Sequence, residues 1–393
     1  MFAGIYSGGD GTQTNPYQIS NLNDLIELSE TVSDYNSYFI QTADIDASAT
    51  LAMNDGKGFI PIGRLGLALF AGVYDGNGKT INNLTIKRPT EDFIGLFGYT
   101  NQSTLRNIQL KNASIQGNNY VGALAGILWN GTYVFRSFSH GIIKGMHNVG
   151  GLIGDIEPPE NNFIINRVEE SISAGTVIGR AFCGGLTGYN NGKIKNCYSI
   201  TTVHLIDEFN GGGLVGENGE TGSVEKSHAV SFVKGVGLTG GLIGYNHQDP
   251  GSSITLSYWD KDQTGLTTSY GGVGQATQSM TVKSTFYNWD FNNVWEISDC
   301  QRFPILQWQT NKSLTTVMEI KVPQKSTTYF TTEEKLLILY SQVDLHGIIY
   351  NLEGKSLQNI QLHKGENYIN LDRFSAGIYF MRFPTLSLKV VVR

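Results

Sequence analysis

Cysteine, proline and charge are all scarce in this chain, and each scarcity excludes something. Three cysteines (Cys183, Cys197 and Cys300) give neither an even disulfide framework nor a zinc-ligand spacing, so they read as small buried hydrophobes. Nine prolines in 393 residues exclude a collagen or a Pro-Gly disordered tract. Charged residues make up 16%, against about 25% in an average domain. The net charge is −6 with no basic run, which argues against nucleic acid as a partner. No apolar stretch reaches the roughly 18 residues of a membrane-spanning helix. His140, His147, His204, His228, His247, His346 and His363 form no i, i+4 pair, and there is no Gly-x-Ser-x-Gly elbow.

Glycine is abundant, at 48 residues, and it is periodic. A Gly-Gly-Leu-x-Gly box recurs at Ile94–Gly98, Gly122–Gly126, Gly150–Gly154, Gly184–Gly188, Gly212–Gly216 and Gly240–Gly244. Its leucines (Leu96, Leu124, Leu152, Leu186, Leu214 and Leu242) are spaced 28, 28, 34, 28 and 28 residues apart. A fixed period of this size marks a solenoid. The strand- and turn-forming composition makes it all-β. With one coil per 28 residues, the spacing predicts a right-handed parallel β-helix-like solenoid, two or three short strands to a coil. Hairpin units in a β-roll remain the alternative.

Other positions keep step with the box. Gly117, Gly145, Gly179, Asp207 and Gly235 precede five of the leucines by seven residues, and are expected to turn with positive φ. Ile115, Ile143, Val177, Leu205 and Val233 form an aliphatic ladder for the interior. Gln109, Ser137, Ser171, Ser199 and Ser227 form a polar ladder, expected at corners or outside. Glu157-Pro158-Pro159-Glu160-Asn161-Asn162 accounts for the six extra residues as a loop, and is the first candidate for a contact.

Residues 1–58 read as an N-terminal cap containing one short helix over about 21–34, covering the open end of the solenoid. Residues 59–309 are the solenoid, with an aromatic closing segment from 276. Its Trp289, Trp295 and Trp308 are expected to plug the last coil, a sugar platform being the alternative. Residues 313–393, with turns at regular spacing, read as a small C-terminal antiparallel β-sandwich.

The run Gly185-Leu186-Thr187-Gly188-Tyr189-Asn190-Asn191-Gly192-Lys193-Ile194-Lys195-Asn196-Cys197-Tyr198-Ser199 resembles the GLUG repeat consensus. So do Gly241–Asn246 and Ser257-Tyr258-Trp259-Asp260. The resemblance covers roughly residues 59–275. It implies a place on large secreted or surface proteins of bacteria, adhesin-like proteins and IgA-directed peptidases among them, but no reaction of the repeats themselves. Leu352-Glu353-Gly354-Lys355, Gly365-Glu366-Asn367, Gly377-Ile378-Tyr379 and the basic terminal strand are similar to the type IX secretion sorting domain of Bacteroidetes. That likeness implies a cleavable export address, a plain accessory sandwich being the alternative, and Met1–Tyr6, running straight into a polar turn, reads as if a leader had been trimmed and a Met added.

The sequence shows no catalytic set. Asp155, Glu169, Asp207, Glu217 and Glu225 are read as lying at different offsets from their boxes, too scattered for the paired carboxylates of a glycosidase. Asp44-Ile45-Asp46 and Asp260-Lys261-Asp262 fall short of a calcium loop and read as turn caps. Gly235–Gly240 matches a dinucleotide pattern with no helix behind it. The reading is therefore a secreted, cell-surface, non-enzymatic adhesion or ligand-binding protein, without cofactor or metal, that contacts glycans or host glycoproteins. A polysaccharide lyase or hydrolase and a structural spacer are the alternatives.

Overall fold

The computed structural model describes residues 3–310 apart from 159–163, 208, 236 and 301, and beyond 325 seven strands with Lys355. The chain divides into two compact units, Met1–Val317 and Met318–Arg393.

The first unit winds through four sheets of six, nine, eleven and five strands, here called the box, arm, long and rim sheets. One coil runs through Ala125–Trp129 (box), Tyr133–Phe135 (arm), Phe138–Lys144 (long) and His147–Gly150 (rim). Each strand pairs in parallel with its equivalent one coil on. The unit is thus an all-β, parallel β-helix-like solenoid, and the hairpin alternative fails. A coil carries four strands rather than two or three. The rim strands are glycine-ended and only two to four residues long, too short to show alternation.

The Leu box turns the corner from rim to box sheet. All six of its leucines are fully buried. The corner is so tight that a Cβ on Gly184 would lie 1.9 Å from the carbonyl oxygen of Thr187, and one on Gly185 would lie 2.0 Å from that of Gly213. Opposite the box, Ser139, Ser173 and Ser199 of the long sheet donate to the carbonyls of Gly151, Gly185 and Gly213. These hydroxyls tie the long sheet to the box across the interior.

Two of the expected ladders change membership. The buried corner column is Ser137–Ser171–Cys197–Ser227–Ser257, in which each side chain receives a backbone N–H from the preceding coil. Ser199 belongs instead to the box-facing column. Likewise Val203, not Leu205, continues Ile115–Ile143–Val177 to Val233. The cause is a pair of compensating length changes in one coil. From Leu186 to the corner residue Cys197 is 11 residues, against 13 from Leu214 to Ser227. Two extra residues then follow Val203, and the box spacing returns to 28.

The column Gly117, Gly145, Gly179 and Gly235 also needs a different explanation, since none of them has positive φ. They leave room for side chains: a Cβ on Gly145 would meet the Val121 and Val149 methyls, and one on Gly235 would meet Leu205. Asp207 sits in the inserted corner and pairs with Arg180.

The ends close differently from each other. The helix spans Leu22–Glu30, capped by Asn21, whose side chain accepts the N–H of Asn23 and Asp24. A short 3-10 turn, Val32–Asp34, follows. Leu25 and Leu28 enter the continuous core. Tyr17–Ile19 and Tyr38–Gln41 are themselves the first strands of the arm sheet. Toward the far end Trp259 is the last side chain of the column Ser139–Ser173–Ser199–Ala229, its ring filling the space over Gly241, with only Gly274 of the strand Val273–Gln275 paired beyond it.

Trp259 is therefore the plug, and the closing segment is a strap. Its indoles donate to three coil corners: Trp289 to Leu256 O (2.8 Å), Trp295 to Asn196 Oδ1 (3.3 Å) and Trp308 to Glu170 O (2.9 Å). It thus runs back along the flank, over the outward residues Ile172, Tyr198, His228 and Tyr258 of the long sheet, all of which are buried. Trp289 and Trp295 are buried too, so they offer no sugar platform.

The second unit holds two antiparallel sheets. One contains Ser326–Phe330, Leu336–Ser341 and Gly365–Asn370; the other contains Leu345–Asn351, Ser356–Leu362, Gly377–Phe383 and Leu386–Val392. Ile349, Ile360, Leu362 and Met381 are buried. Residues 313–325 and His363 lie outside the described residues.

Candidate functional site

Two columns of outward side chains run side by side where the rim sheet meets the box sheet. The box-sheet column lies three residues after each leucine: Tyr99, Ile127, Asp155, Tyr189, Glu217 and Tyr245. The rim-sheet column contains Phe93, Tyr120, Asn148, Phe182 and Asn210, in the strands or corners that precede the boxes. Most of these side chains are half-buried, as befits rings standing on a sheet surface.

The two columns touch coil by coil. Phe93 packs on Tyr99 at 5.2 Å and stacks on Tyr120 at 4.9 Å with 11° between planes. Phe182 meets Tyr189 edge-on at 6.0 Å. In the coils on either side of that pair an amide meets an acid: Asn148 Nδ2 donates to Asp155, and Asn210 Nδ2 donates to Glu217. The face therefore alternates Asn–Asp, Phe–Tyr, Asn–Glu along the axis.

The rim column is held under backbone strain. Phe93, Tyr120, Asn148 and Phe182 have φ of 61°, 58°, 54° and 53°. Asn tolerates the left-handed region, but for an aromatic residue it is an outlier, costing about 1–2 kcal/mol. Such strain collects at functional positions.

Both acids lie beneath this surface. Asp155 is 3% and Glu217 8% exposed. Burial, with Glu157 adding to it, pushes the Asp155 carboxyl well above the usual range, and its Oδ1 has no hydrogen-bond partner. Burial and then Glu217 push the Tyr189 phenol up to about 12. Glu217 Oε1 also meets His247 Nε2 at 2.8 Å.

The carboxylates thus stack after all, contrary to the offset reading. Asp155 and Glu217 share one column, with Tyr189 between them. Glu169 and Glu225 share another in the arm sheet, with Lys195 between them, and Lys195 Nζ lies 3.2 Å from Glu225. That second column is a solvated ion ladder of small energetic weight. In both cases another side chain occupies the coil between the acids, unlike the facing carboxyls of a glycosidase.

Glu220, His247 and Asp249 bring one ligand atom each within 4.8 Å of the others. Three ligands are fewer than a hard cation takes. Of the aspartates in the calcium-like loops, Asp44 accepts Thr80 N–H, Asp46 binds Ser48 and Asn83, and Asp260 Oδ1 caps the turn at Asp262 and Gln263 while its buried Oδ2 has no partner. Cys183 and Cys197 are buried and free, whereas Cys300 is free and exposed, so the reading of it as a buried hydrophobe fails. The insert loop departs from the box sheet after Ile156, but its residues 159–162 lie outside the described residues. Among the described residues no helix is long and apolar enough to cross a membrane.

No family model matches the chain. It is 42% identical over 158 residues to halomucin of Haloquadratum walsbyi, a match covering 39% of this chain and 2% of halomucin. It is 27% identical over 257 residues to an immunoglobulin A1 protease of Streptococcus sanguinis, covering 63% of this chain and 13% of the protease. A putative Gly-rich membrane protein of Evansella cellulosilytica is 26% identical over 395 residues, covering 75% of this chain and 45% of that protein. The chain thus spans less than half the length of each of these relatives.

Proposed function

We propose that this chain is a ligand-binding solenoid of a secreted or surface-displayed protein, and that its ligands are glycans or glycoproteins held on the aromatic and amide face. The observation that carries the reading is the coil-by-coil alternation of the Phe182–Tyr189 ring pair with the Asn148–Asp155 and Asn210–Glu217 pairs. Aromatic rings beside oriented amides suit the apolar faces and hydroxyl edges of sugars. The relatives support the setting: one carries the name of a putative Gly-rich membrane protein, and another that of an immunoglobulin A1 protease.

In the same reading the repeats are GLUG repeats and the second unit is a type IX sorting signal. The test is a glycan and host-glycoprotein array probed with the full chain, followed by mass spectrometry of retained material. Retention without cleavage supports adhesion. Shortened glycans would replace it with the polysaccharide-degrading alternative, and no retention anywhere would favour the spacer.

A further inference from the structure

We infer that the ligand is a flat, extended β-1,4-linked polysaccharide lying along the solenoid axis, one sugar per coil over Tyr120, Asn148, Phe182 and Asn210. This rests on the glycan-binding reading and narrows it to one geometry.

The period of the face selects among ligand geometries. Adjacent coils are ~4.8 Å apart, so Asn148 and Asn210, two coils apart, are separated by ~9.6 Å along the axis. A pyranose linked through opposite equatorial oxygens advances by roughly one coil height. Each ring in such a chain is turned over relative to the last, so like edges recur at every second sugar. The face repeats in the same way: amide with acid, ring pair, amide with acid. An extended peptide advances ~3.3 Å per residue and repeats its side-chain face every ~6.6 Å, out of step with this face. A helical α-linked glucan curves away from a straight row of rings.

Besides the period, one observation points to a ligand here. Asp155, almost wholly buried under the face, has a carboxylate oxygen without a partner. Asp155 and Glu217 act as positioning residues. Each takes one amide N–H of its Asn, which leaves the amide oxygen and the second N–H for sugar hydroxyls.

The experiment is calorimetry of the full chain with cellohexaose, chitohexaose and β-1,4-mannohexaose. Maltohexaose and an alternating Tyr-Ser hexapeptide serve as the other geometries. The expected result is that at least one flat hexasaccharide binds tenfold or more tightly than maltohexaose or the peptide. Phe182→Asn should then weaken that binding about tenfold while raising the melting temperature, because Asn accepts the backbone that strains Phe. A fold defect would lower both. Equal binding of maltohexaose or the peptide overturns the inference, as does unchanged affinity in F182N. Failure of every flat hexasaccharide also overturns it. If glycoproteins are still retained on the array in that case, the broader binding reading survives.

Discussion

His228 offers a test of how the strap is held. Its ring stacks on Tyr198 at 4.8 Å and 7°, and lies 5.6 Å from Trp295 and 5.9 Å from Trp289. Nε2 sits 3.0 Å from the carbonyl oxygen of Pro304. A carbonyl only accepts, so Nε2 carries the proton and Nδ1 is bare, buried and unpartnered. Burial brings the pKa from 6.5 down to about 4, with the Pro304 bond opposing it. Because the folded value lies below the unfolded one, the unfolded chain takes up a proton first as pH falls. This group's contribution is therefore complete above pH 6.5 and is lost between 6.5 and about 4, about 3 kcal/mol over the whole interval. His228→Phe keeps the stack, loses a hydrogen bond worth about 1 kcal/mol, and does not titrate. The variant should be the less stable protein at pH 7. At ~1.4 kcal/mol per pH unit the difference should vanish near pH ~6 and reverse below it. Guanidinium unfolding of both proteins, followed by tryptophan fluorescence at several pH values between 7 and 4.5, reads this directly. Carboxylates titrate alike in both and cancel from the difference. A stability difference that stays constant with pH would refute the argument.

Asp155→Asn should raise the melting temperature at pH 7. The folded chain holds the Asp155 proton to higher pH than the unfolded chain does, so the acid costs stability as pH rises through its shifted range, and Asn removes that cost; a lower melting temperature would contradict it. Leu186→Ala should cost about 3–5 kcal/mol by leaving a cavity at a fully buried corner. Leu238→Ala, at a leucine 43% exposed, should stay within about 0.5 kcal/mol. Chemical denaturation of the two variants compares these costs, and equal losses would show that the box leucine is not the interior anchor.

The solenoid was legible because one corner repeats. Only glycine fits beside Thr187 O and Gly213 O, and only a buried apolar group fits at Leu186, so the box persists as a written period. Column membership was less legible. Backbone pairing sets it, and offset from the box follows pairing only while both arms keep their lengths. The coil containing Cys197 shortens one corner by two residues and lengthens another by two, which preserves the 28-residue spacing but misplaces Ser199 and Leu205. The strap was legible only as aromatic content. Its docking depends on indole bonds to Asn196 and Glu170, more than 90 residues away in sequence.

The candidate face was half written in the sequence. Tyr99, Asp155, Tyr189, Glu217 and Tyr245 all stand three residues after a box leucine, a constant offset that identifies one outward column once inward and outward positions are known. Its partner column was hidden by residue type. A left-handed position is ordinarily announced by Gly or Asn, and Asn148 does announce it, but Phe93, Tyr120 and Phe182 occupy the same conformation. Those rings stand against local preference where the two columns converge. In the corner column between the arm and long sheets, Asn107 and Asn196 share the same backbone with Arg136, Glu170, Lys226 and Leu256, so the conformation alone does not set the residue type. Nothing in the packing of the core requires rings on the outside of the rim sheet. Rings at three positions of one outward column are better explained by what lies over the face than by the fold beneath it.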